Sequence, residues 1–268
     1  MHHMKLLLFL ITLLLVQPAY AIYDPLSVPN NKFGIHVADP NDIPKVKELV
    51  NSTQGDWGYV TIVIPENQRQ PDIWQPVFAR MKREHLIPIV RLATRVEAGI
   101  WTKPSLNDAK VWINFLTELP WPTKNRYVII FNEPNHAKEW GGGVSPNEYA
   151  DILVTYSQAF KQSSEDFFIL PAGLDASAPN GNDTMDEELF LRWMVAREPR
   201  LADVIDGWTS HSYPNPGFSG SPYAQGRGTI RTFEWELALL SNLGIQKELP
   251  VFITETGWAH ARLSPEEV

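Results

Sequence analysis

The 268-residue chain contains no cysteine. Disulfide bridges, thiol catalysis, thiolate metal sites and cysteine-linked lipids are therefore all excluded. It also lacks any cluster of lysine and arginine, and its formal net charge is −8 at pH 7. This balance argues against nucleic acid as a partner, because contacts to phosphates need concentrated positive charge.

No apolar run has the roughly 20 residues that a membrane-spanning helix needs. The apolar segment Leu6–Val16 follows a short polar and basic start, and Ala19-Tyr20-Ala21 then offers a small-x-small cleavage site. This arrangement predicts a secretory signal peptide at residues 1–21 and a mature domain at residues 22–268. We therefore expect a secreted, extracellular or periplasmic protein; an uncleaved membrane anchor is the alternative.

A Gly-x-Gly-x-x-Gly motif is also missing after the first predicted strand, which argues against dinucleotide binding. Short runs rich in Val, Ile and Phe alternate with amphipathic stretches, as in βαβ units around a buried parallel sheet. The seven predicted strands lie at 33–38, 58–64, 87–92, 127–131, 167–170, 204–208 and 251–254. The predicted helices lie at 43–50, 73–85, 106–118, 146–162, 187–197 and 229–243.

This alternation predicts an α/β fold, a single (β/α)8 TIM barrel in which the chain stops after strand seven. One more strand and helix need roughly 30 residues, so we expect residues 22–268 to form a C-terminally incomplete barrel domain. An open doubly wound sheet is the alternative. The segment 214–228 is rich in Gly, Ser and Pro, and we expect it to form a long loop after strand six.

Two of the apolar runs end in a glutamate. The fourth predicted strand leads into Asn132-Glu133-Pro134, and the seventh leads into Thr254-Glu255-Thr256-Gly257. Strand three ends at Arg91, and strand six is followed by His211-Ser212-Tyr213. Functional residues of such barrels sit at the carboxyl ends of the strands. Paired carboxylates at that face indicate the chemistry of glycosidic bond cleavage.

Taken together, these motifs resemble glycoside hydrolase clan A, the retaining (β/α)8 glycosidases. They are most similar to the cellulase-type family 5 group or a near relative. The resemblance implies that Glu133 is the general acid/base and that Glu255 is the nucleophile. Glu133 must then carry a proton to donate to the leaving oxygen, and Glu255 must be ionised to attack the anomeric carbon.

The resemblance also implies supporting roles at the other strand ends. Tyr213 would orient Glu255, and Arg91 would hold its charge. Asn132 would contact the sugar 2-hydroxyl, and His211 would bond to the acid/base glutamate or to the sugar. Each has a simpler interpretation, such as an ion pair for the arginine or packing for the histidine.

Aromatic side chains are plentiful, with ten tryptophans, and sugars stack their apolar faces on such rings. Trp101, Trp140 and Trp258 fall in predicted loops or strand ends at the catalytic face, so we expect them to contact substrate. For any single tryptophan, packing is the competing interpretation. The tryptophan that clan members carry at the end of strand eight has no counterpart in this sequence.

No metal or cofactor is expected. His136, Glu139 and His260 do not have a recognised metal-ligand spacing, and the resemblance implies catalysis by carboxylates alone. The expected function is a secreted retaining glycoside hydrolase that cleaves O-glycosidic bonds of a β-linked polysaccharide or oligosaccharide. Two alternatives are a catalytically inactive carbohydrate-binding barrel, and a membrane-tethered enzyme that processes cell-wall or exopolysaccharide material. The intact pair of Glu133 and Glu255 argues against the inactive barrel.

Overall fold

The computed structural model describes residues 24–26, 30–52 and 55–260, so the predicted signal peptide lies outside the described residues. Within them, seven strands alternate with six helices. The strands are β1 (Gly34–Val37), β2 (Gly58–Pro65), β3 (Leu86–Ala93), β4 (Arg126–Ile130), β5 (Phe167–Pro171), β6 (Trp208–His211) and β7 (Val251–Glu255). The helices are α1 (Ile43–Val50), α2 (Pro71–Arg83), α3 (Ala109–Thr117), α4 (Pro146–Ser163), α5 (Glu187–Arg197) and α6 (Thr232–Asn242).

Shorter elements lie in the connections. They are a two-stranded antiparallel hairpin (Val96–Glu97 with Ile100–Trp101), a helical turn (Leu201–Val204) and 3₁₀ turns at Pro40–Asp42, Glu66–Gln68, Leu106–Asp108 and Ala137–Glu139. None of the helices in the described ranges combines the length and the apolar character needed to cross a bilayer.

The strands form a parallel sheet that follows chain order. Strands β1 to β5 pair as neighbours, and β6 pairs in parallel with β7. An isolated parallel bridge between Asp175 and His211 joins the chain after β5 to the end of β6. Sequential parallel strands with helices between them are the architecture of the (β/α)8 barrel, and seven of its strands are present here. The prediction of the fold class is therefore confirmed.

Local sequence signals account for several helix ends. Ser145 accepts a hydrogen bond from the backbone N–H of Glu148 and caps α4, whose first residue is Pro146. Asp186 caps α5 in the same way. The chain leaves α6 through Gly244, whose φ of +94° is a left-handed conformation that favours glycine.

The predicted position of strand six was wrong. We expected residues 204–208, but Leu201–Val204 form a helical turn and the strand is Trp208–His211. Its polar residues Thr209 and Ser210 are fully buried. They escape the cost of burial because they are hydrogen-bonded, for example from the Thr209 hydroxyl to the carbonyl of Pro171 at 2.6 Å.

Side chains alternate between two hydrophobic layers. One face of the sheet packs against the helices, and the other fills the inside of the barrel. The inner cluster consists of Tyr59, Ile87, Ile89, Tyr127, Ile129, Phe168 and Leu170. In β3 the alternation places Arg91 on the same inner face as Ile87 and Ile89, one step further toward the carboxyl end. An apolar floor therefore lies below the polar residues of the barrel mouth.

Candidate active site

Four strand ends bring polar side chains together at one mouth of the barrel. Arg91 of β3 pairs in register with Ile129, three residues before Asn132. His211 of β6 pairs with Glu255 of β7, after an irregularity in register between Ser210 and His211. Residues that are far apart in the sequence thus become direct neighbours.

Glu255 has a partner on each of its carboxylate oxygens. The Arg91 guanidinium donates to Oε1, and the Tyr213 hydroxyl donates to Oε2 at 3.0 Å. The Nδ1 atoms of His36 and His211 each lie 3.8 Å from one of these oxygens. Burial raises the pKa of Glu255, but the positive charges of His211 and Arg91 outweigh it and hold that pKa below its usual value. The carboxylate is therefore ionised.

Glu133 is held by a different residue. Its Oε1 lies 2.7 Å from His211 Nδ1, and its backbone N–H donates to the carbonyl of Gly173. Its φ of +30° and the +67° of Phe131 are left-handed values that non-glycine residues rarely adopt. Such strain persists only where the surrounding structure fixes it, and it concentrates at functional sites.

His211 is buried between the two glutamates, with 3% of its surface exposed. Burial lowers its pKa, but the hydrogen bond to Glu133 and the charge of Glu255 outweigh burial, so the pKa is raised. The imidazole ring lies directly on Gly173. A Cβ at Gly173 would lie 2.3 Å from His211 Cδ2, so only glycine fits there without displacing the ring.

The two carboxylates are close to each other. One oxygen of Glu133 and one of Glu255 lie within 4.8 Å, and the His211 nitrogen is within the same distance of both. These three residues have ligand types that also bind metals. However, each oxygen of Glu255 already receives a hydrogen bond, one of them from the permanently charged guanidinium of Arg91. The positive charge of Arg91 disfavours a metal cation beside Glu255. The site therefore suits a free carboxylate better than a metal-bound one.

Asn132 joins Arg91 to a third acidic residue. Its Oδ1 accepts from Arg91 Nη1 at 2.7 Å, and its Nδ2 donates to Glu139 Oε2 at 3.3 Å. These partners fix the orientation of the amide, because its oxygen faces a cation and its nitrogen faces a carboxyl group. Among the described residues, the second N–H of Nδ2 has no acceptor.

The three tryptophans differ in exposure. Trp258 is 48% exposed, and its indole N–H donates to the carbonyl of Gly220 in the loop after β6. Trp101 is partly buried and lines a small pocket at the barrel mouth. The expectation for Trp140 was wrong: it is fully buried, with its ring 6.2 Å from Phe131 and 5.5 Å from Tyr149. No sugar can stack on it, and it supports the strand end from below.

The sequence had given no catalytic or binding role to several residues at the site, and His136 and Glu139 had been considered only as metal ligands. Gly173 follows β5 and supports His211, and Glu139 lines the small pocket beside Asn132. His136 and Asp175 form a third contact at this mouth, with Nε2 and Oδ2 2.9 Å apart. The hydrogen bond to Asp175 is the main reason that the pKa of His136 is raised. The sequence offers only a weak signal for Gly173, the Ala172-Gly173 pair directly after an apolar strand, and it was not used.

The fold is similar to that of solved glycosidase structures. A β-xylosidase from Caulobacter crescentus CB15 matches with a TM-score of 0.59 and 13% identity over 86% of this chain. A GH39 enzyme from Xanthomonas axonopodis pv. citri matches with a TM-score of 0.52 and 12% identity over 86% of this chain. XacCel5A matches with a TM-score of 0.51 and 14% identity over 84% of this chain. The chain shares their fold.

At these identities the likeness concerns the fold alone. The chain covers 53% of the Caulobacter β-xylosidase and 51% of the Xanthomonas GH39 enzyme, and 71% of XacCel5A. No protein-family model matches the sequence, and no curated protein matches it. The resemblance to barrel glycosidases that the strand-end motifs indicate is thus confirmed at the level of the fold.

Proposed function

We propose that the protein is a retaining glycoside hydrolase that cleaves O-glycosidic bonds of a β-linked glycan. One observation carries the proposal: the carboxylates of Glu133 and Glu255 bring oxygens within 4.8 Å of each other at the barrel mouth. Retaining enzymes hold their carboxyl groups about 5–5.5 Å apart, whereas inverting enzymes leave about 6.5–9.5 Å for a water molecule. The short separation supports the retaining reaction.

The reaction proceeds in two displacements. The ionised carboxylate of Glu255 attacks the anomeric carbon while Glu133 donates its proton to the departing glycosidic oxygen, so the alcohol leaves as a neutral molecule. Water then attacks the anomeric carbon of the glycosyl ester and gives its proton to Glu133. The C–O bond to Glu255 breaks, and its carboxylate is regenerated.

The neighbours of Glu255 fit its role as the nucleophile. Arg91 and Tyr213 each donate to one oxygen, which holds the carboxylate in a fixed orientation. Asn132 is held with one amide N–H that has no acceptor in the described part of the chain, and that N–H would contact the sugar 2-hydroxyl. The contact of His211 with Glu133 would hold that carboxyl group in position to protonate the leaving oxygen.

One observation agrees with a β-linkage, and another agrees with a sugar as the substrate. One structural neighbour is named as a β-xylosidase. The half-exposed Trp258 lies immediately after the Glu255 strand and offers an aromatic face for a sugar ring. The proposed reaction needs no metal or cofactor, because the two carboxylates supply both the proton and the nucleophile.

The test is turnover of 4-nitrophenyl β-glycosides and soluble β-glycans by the full chain and two variants. Glu255→Ala should abolish release of reducing sugar, because the nucleophile is gone. The matched control is Glu248→Ala, which removes an exposed glutamate at the other end of β7 and should retain activity. Substantial turnover by Glu255→Ala would overturn the proposal.

We also propose that the protein is exported and that residues 1–21 are cleaved. The support is the apolar segment Leu6–Val16 followed by the small residues Ala19 and Ala21. Mass spectrometry of the protein recovered from its producing cells should give an N-terminus at Ile22. An intact N-terminus in the membrane fraction would instead establish a tethered enzyme.

A further inference from the structure

A small pocket opens beside the carboxylate pair. It has a volume of about 120 Å³ and lies where β2, β3 and β4 end. Its polar lining includes Arg91, Asn132 and Glu139, and Trp101 also lines it. A guanidinium, an amide, a carboxyl group and an indole are the kinds of group that fix a polar ligand with an apolar face.

Glu139 brings an unused acceptor to this pocket. The 3₁₀ turn Ala137–Glu139 places it there, half-buried, and its Oε2 accepts from Asn132. Its Oε1 accepts no hydrogen bond from any residue in the described part of the chain. Burial, with the charge of Glu133 adding to it, raises the pKa of Glu139. This half-buried oxygen is open to a ligand hydroxyl, which would donate to it.

Glu139 is linked to the nucleophile by a continuous series of contacts. Arg91 donates both to Glu255 and to Asn132, and Asn132 donates to Glu139. The amide that would hold the sugar 2-hydroxyl is therefore next to the free oxygen of Glu139. Neighbouring hydroxyls on a sugar ring lie side by side, so the hydroxyl next to the one on Asn132 falls on the Glu139 side.

We propose that Glu139 is a substrate-binding residue that accepts a hydrogen bond from the 3-hydroxyl of the reacting sugar. The inference rests on the proposed function, in which Asn132 holds the 2-hydroxyl. The ligand that fits is a neutral sugar with free hydroxyls at both positions. A sugar substituted at the 3-oxygen has no hydrogen to donate, so the pocket selects against it.

The experiment is a double-mutant-style cycle that removes the carboxylate from the enzyme, the 3-hydroxyl from the ligand, or both, and compares the binding affinities. Calorimetry first ranks methyl β-xyloside, β-glucoside, β-mannoside and β-galactoside on the wild-type chain. The tightest binder and its 3-deoxy analogue are then titrated into the wild type, Glu139→Ala and Glu139→Gln. Glu97→Gln is the matched control, because it removes an exposed carboxylate from the nearby hairpin without touching the pocket.

The wild type should bind the 3-deoxy sugar about 10- to 100-fold more weakly than the parent, as expected for a hydrogen bond to a charged group. Glu139→Ala should bind the parent sugar more weakly than the wild type by the same factor. It should bind the 3-deoxy analogue no more weakly than the parent sugar. Glu97→Gln should behave as the wild type. If Glu139 only positioned Asn132, the 3-deoxy penalty would persist in Glu139→Ala.

An equal 3-deoxy penalty in the wild type and in Glu139→Ala overturns the assignment, as does a failure of all four glycosides to bind at millimolar concentration. A melting temperature of the isosteric Glu139→Gln variant equal to that of the wild type shows that its binding is measured on folded protein. Turnover of aryl glycosides, measured in parallel, separates the two proposals. If the enzyme turns over aryl glycosides but the 3-deoxy penalty does not depend on Glu139, only the binding role of Glu139 is refuted. If the penalty depends on Glu139 but there is no turnover, only the hydrolase function is refuted.

Discussion

The two glutamates have different hydrogen-bond partners, and these partners suit them to different roles. Glu255 lies between a guanidinium and a phenol hydroxyl, both of which stabilise its charged form. Glu133 has an imidazole as its side-chain partner, and its backbone is held in a left-handed conformation. A carboxylate that accepts hydrogen bonds on both oxygens is held in its charged form, which suits nucleophilic attack. A carboxyl group hydrogen-bonded to an imidazole, which can itself gain or lose a proton, suits proton transfer.

Replacing the acid should affect substrates according to their leaving groups. We expect Glu133→Ala to lower kcat/KM on unactivated β-glycosides by about 10²- to 10⁴-fold, which is the usual contribution of general acid catalysis. Activated aryl glycosides should lose far less in the glycosylation step, because their phenolate leaves without a proton. Steady-state kinetics on both substrate types is the measurement. Equal losses on both would remove Glu133 from the acid role.

The support beneath His211 gives a second prediction. Gly173→Ala should displace the imidazole, because the new Cβ would lie 2.3 Å from Cδ2 and 2.5 Å from Nε2 of His211. Overpacking of this kind costs about 1–3 kcal/mol of folding free energy, and losing the His211 contact to Glu133 should also reduce turnover. Thermal melting and kcat measure the two effects.

Gly181→Ala is the matched control for this change. The nearest atom to a Cβ there is the Thr184 hydroxyl at 3.8 Å, which is an ordinary contact. This variant should keep wild-type melting and turnover. Wild-type behaviour of Gly173→Ala as well would show that the His211 ring does not depend on that glycine.

Residues that end apolar strands could be placed from the sequence, because parallel strands carry their carboxyl ends to one face. Glu133, Glu255 and Arg91 could be placed in this way. Glu139 and Trp140 could not, because both lie in an irregular segment whose sequence has no periodicity that relates it to the barrel. Trp140 was expected in a loop at the catalytic face, but its indole turns inward against aromatic rings.

At the scale of elements, two helices meet behind β6 through a pair of carboxyl groups. Glu187 of α5 and Glu236 of α6 are both fully buried, and the charge of Glu236 acts on Glu187. The Trp208 indole donates to Glu236 at 3.0 Å. Burial raises the pKa of both groups, well above the usual value for Glu187, where the charge of Glu236 adds to it. A shared proton lets the pair hydrogen-bond internally.

This pair should make stability fall as the pH rises. A folded-state pKa above the unfolded value of about 4.3 gives stability that is complete at lower pH. That stability is lost as the pH rises through the folded pKa. Glu187→Gln replaces one such carboxyl with a permanently neutral amide, so it should gain stability relative to wild type by about 1.4 kcal/mol per pH unit for each proton involved. Urea unfolding across pH measures this difference.

The control for the carboxyl pair is Glu188→Gln, one residue further along α5. Glu188 is partly exposed and paired with Arg192, so its loss should shift stability by no more than about 1 kcal/mol at any pH. A Glu187→Gln curve that runs parallel to wild type would show that the pair does not hold a proton in the folded state.

Elements differed in how well the sequence predicted them. The bounds of α1 and α5 agree with the prediction, and α4 differs by one residue at its end. Strand β6 was misplaced because three of its residues are Thr, Ser and His, which do not form the apolar run expected of a buried strand. Their burial depends on hydrogen bonds to neighbouring strands and to Glu133, and tertiary contacts of that kind have no local signal.

At the scale of the whole molecule, the site exists only when the sheet is assembled. Arg91, Glu133, His211 and Glu255 come from four strands that span more than half of the chain. Among the described residues β1 and β7 do not pair, and a cavity of about 570 Å³ lies between them and reaches Tyr213 and Glu255. The alternation of strands and helices predicted the order of the sheet, but the shape of this gap depends on packing that no local pattern encodes.

The most direct test of the account is to trap the covalent intermediate. A 2-deoxy-2-fluoro β-glycoside with a good leaving group should form the glycosyl-enzyme but hydrolyse it slowly, because the fluorine destabilises the positively charged transition states of both steps. Peptide mass mapping should place the sugar on Glu255, and the Glu248→Ala control should be labelled at the same residue. A sugar found on any other residue, or product released with inverted anomeric configuration, would contradict the account.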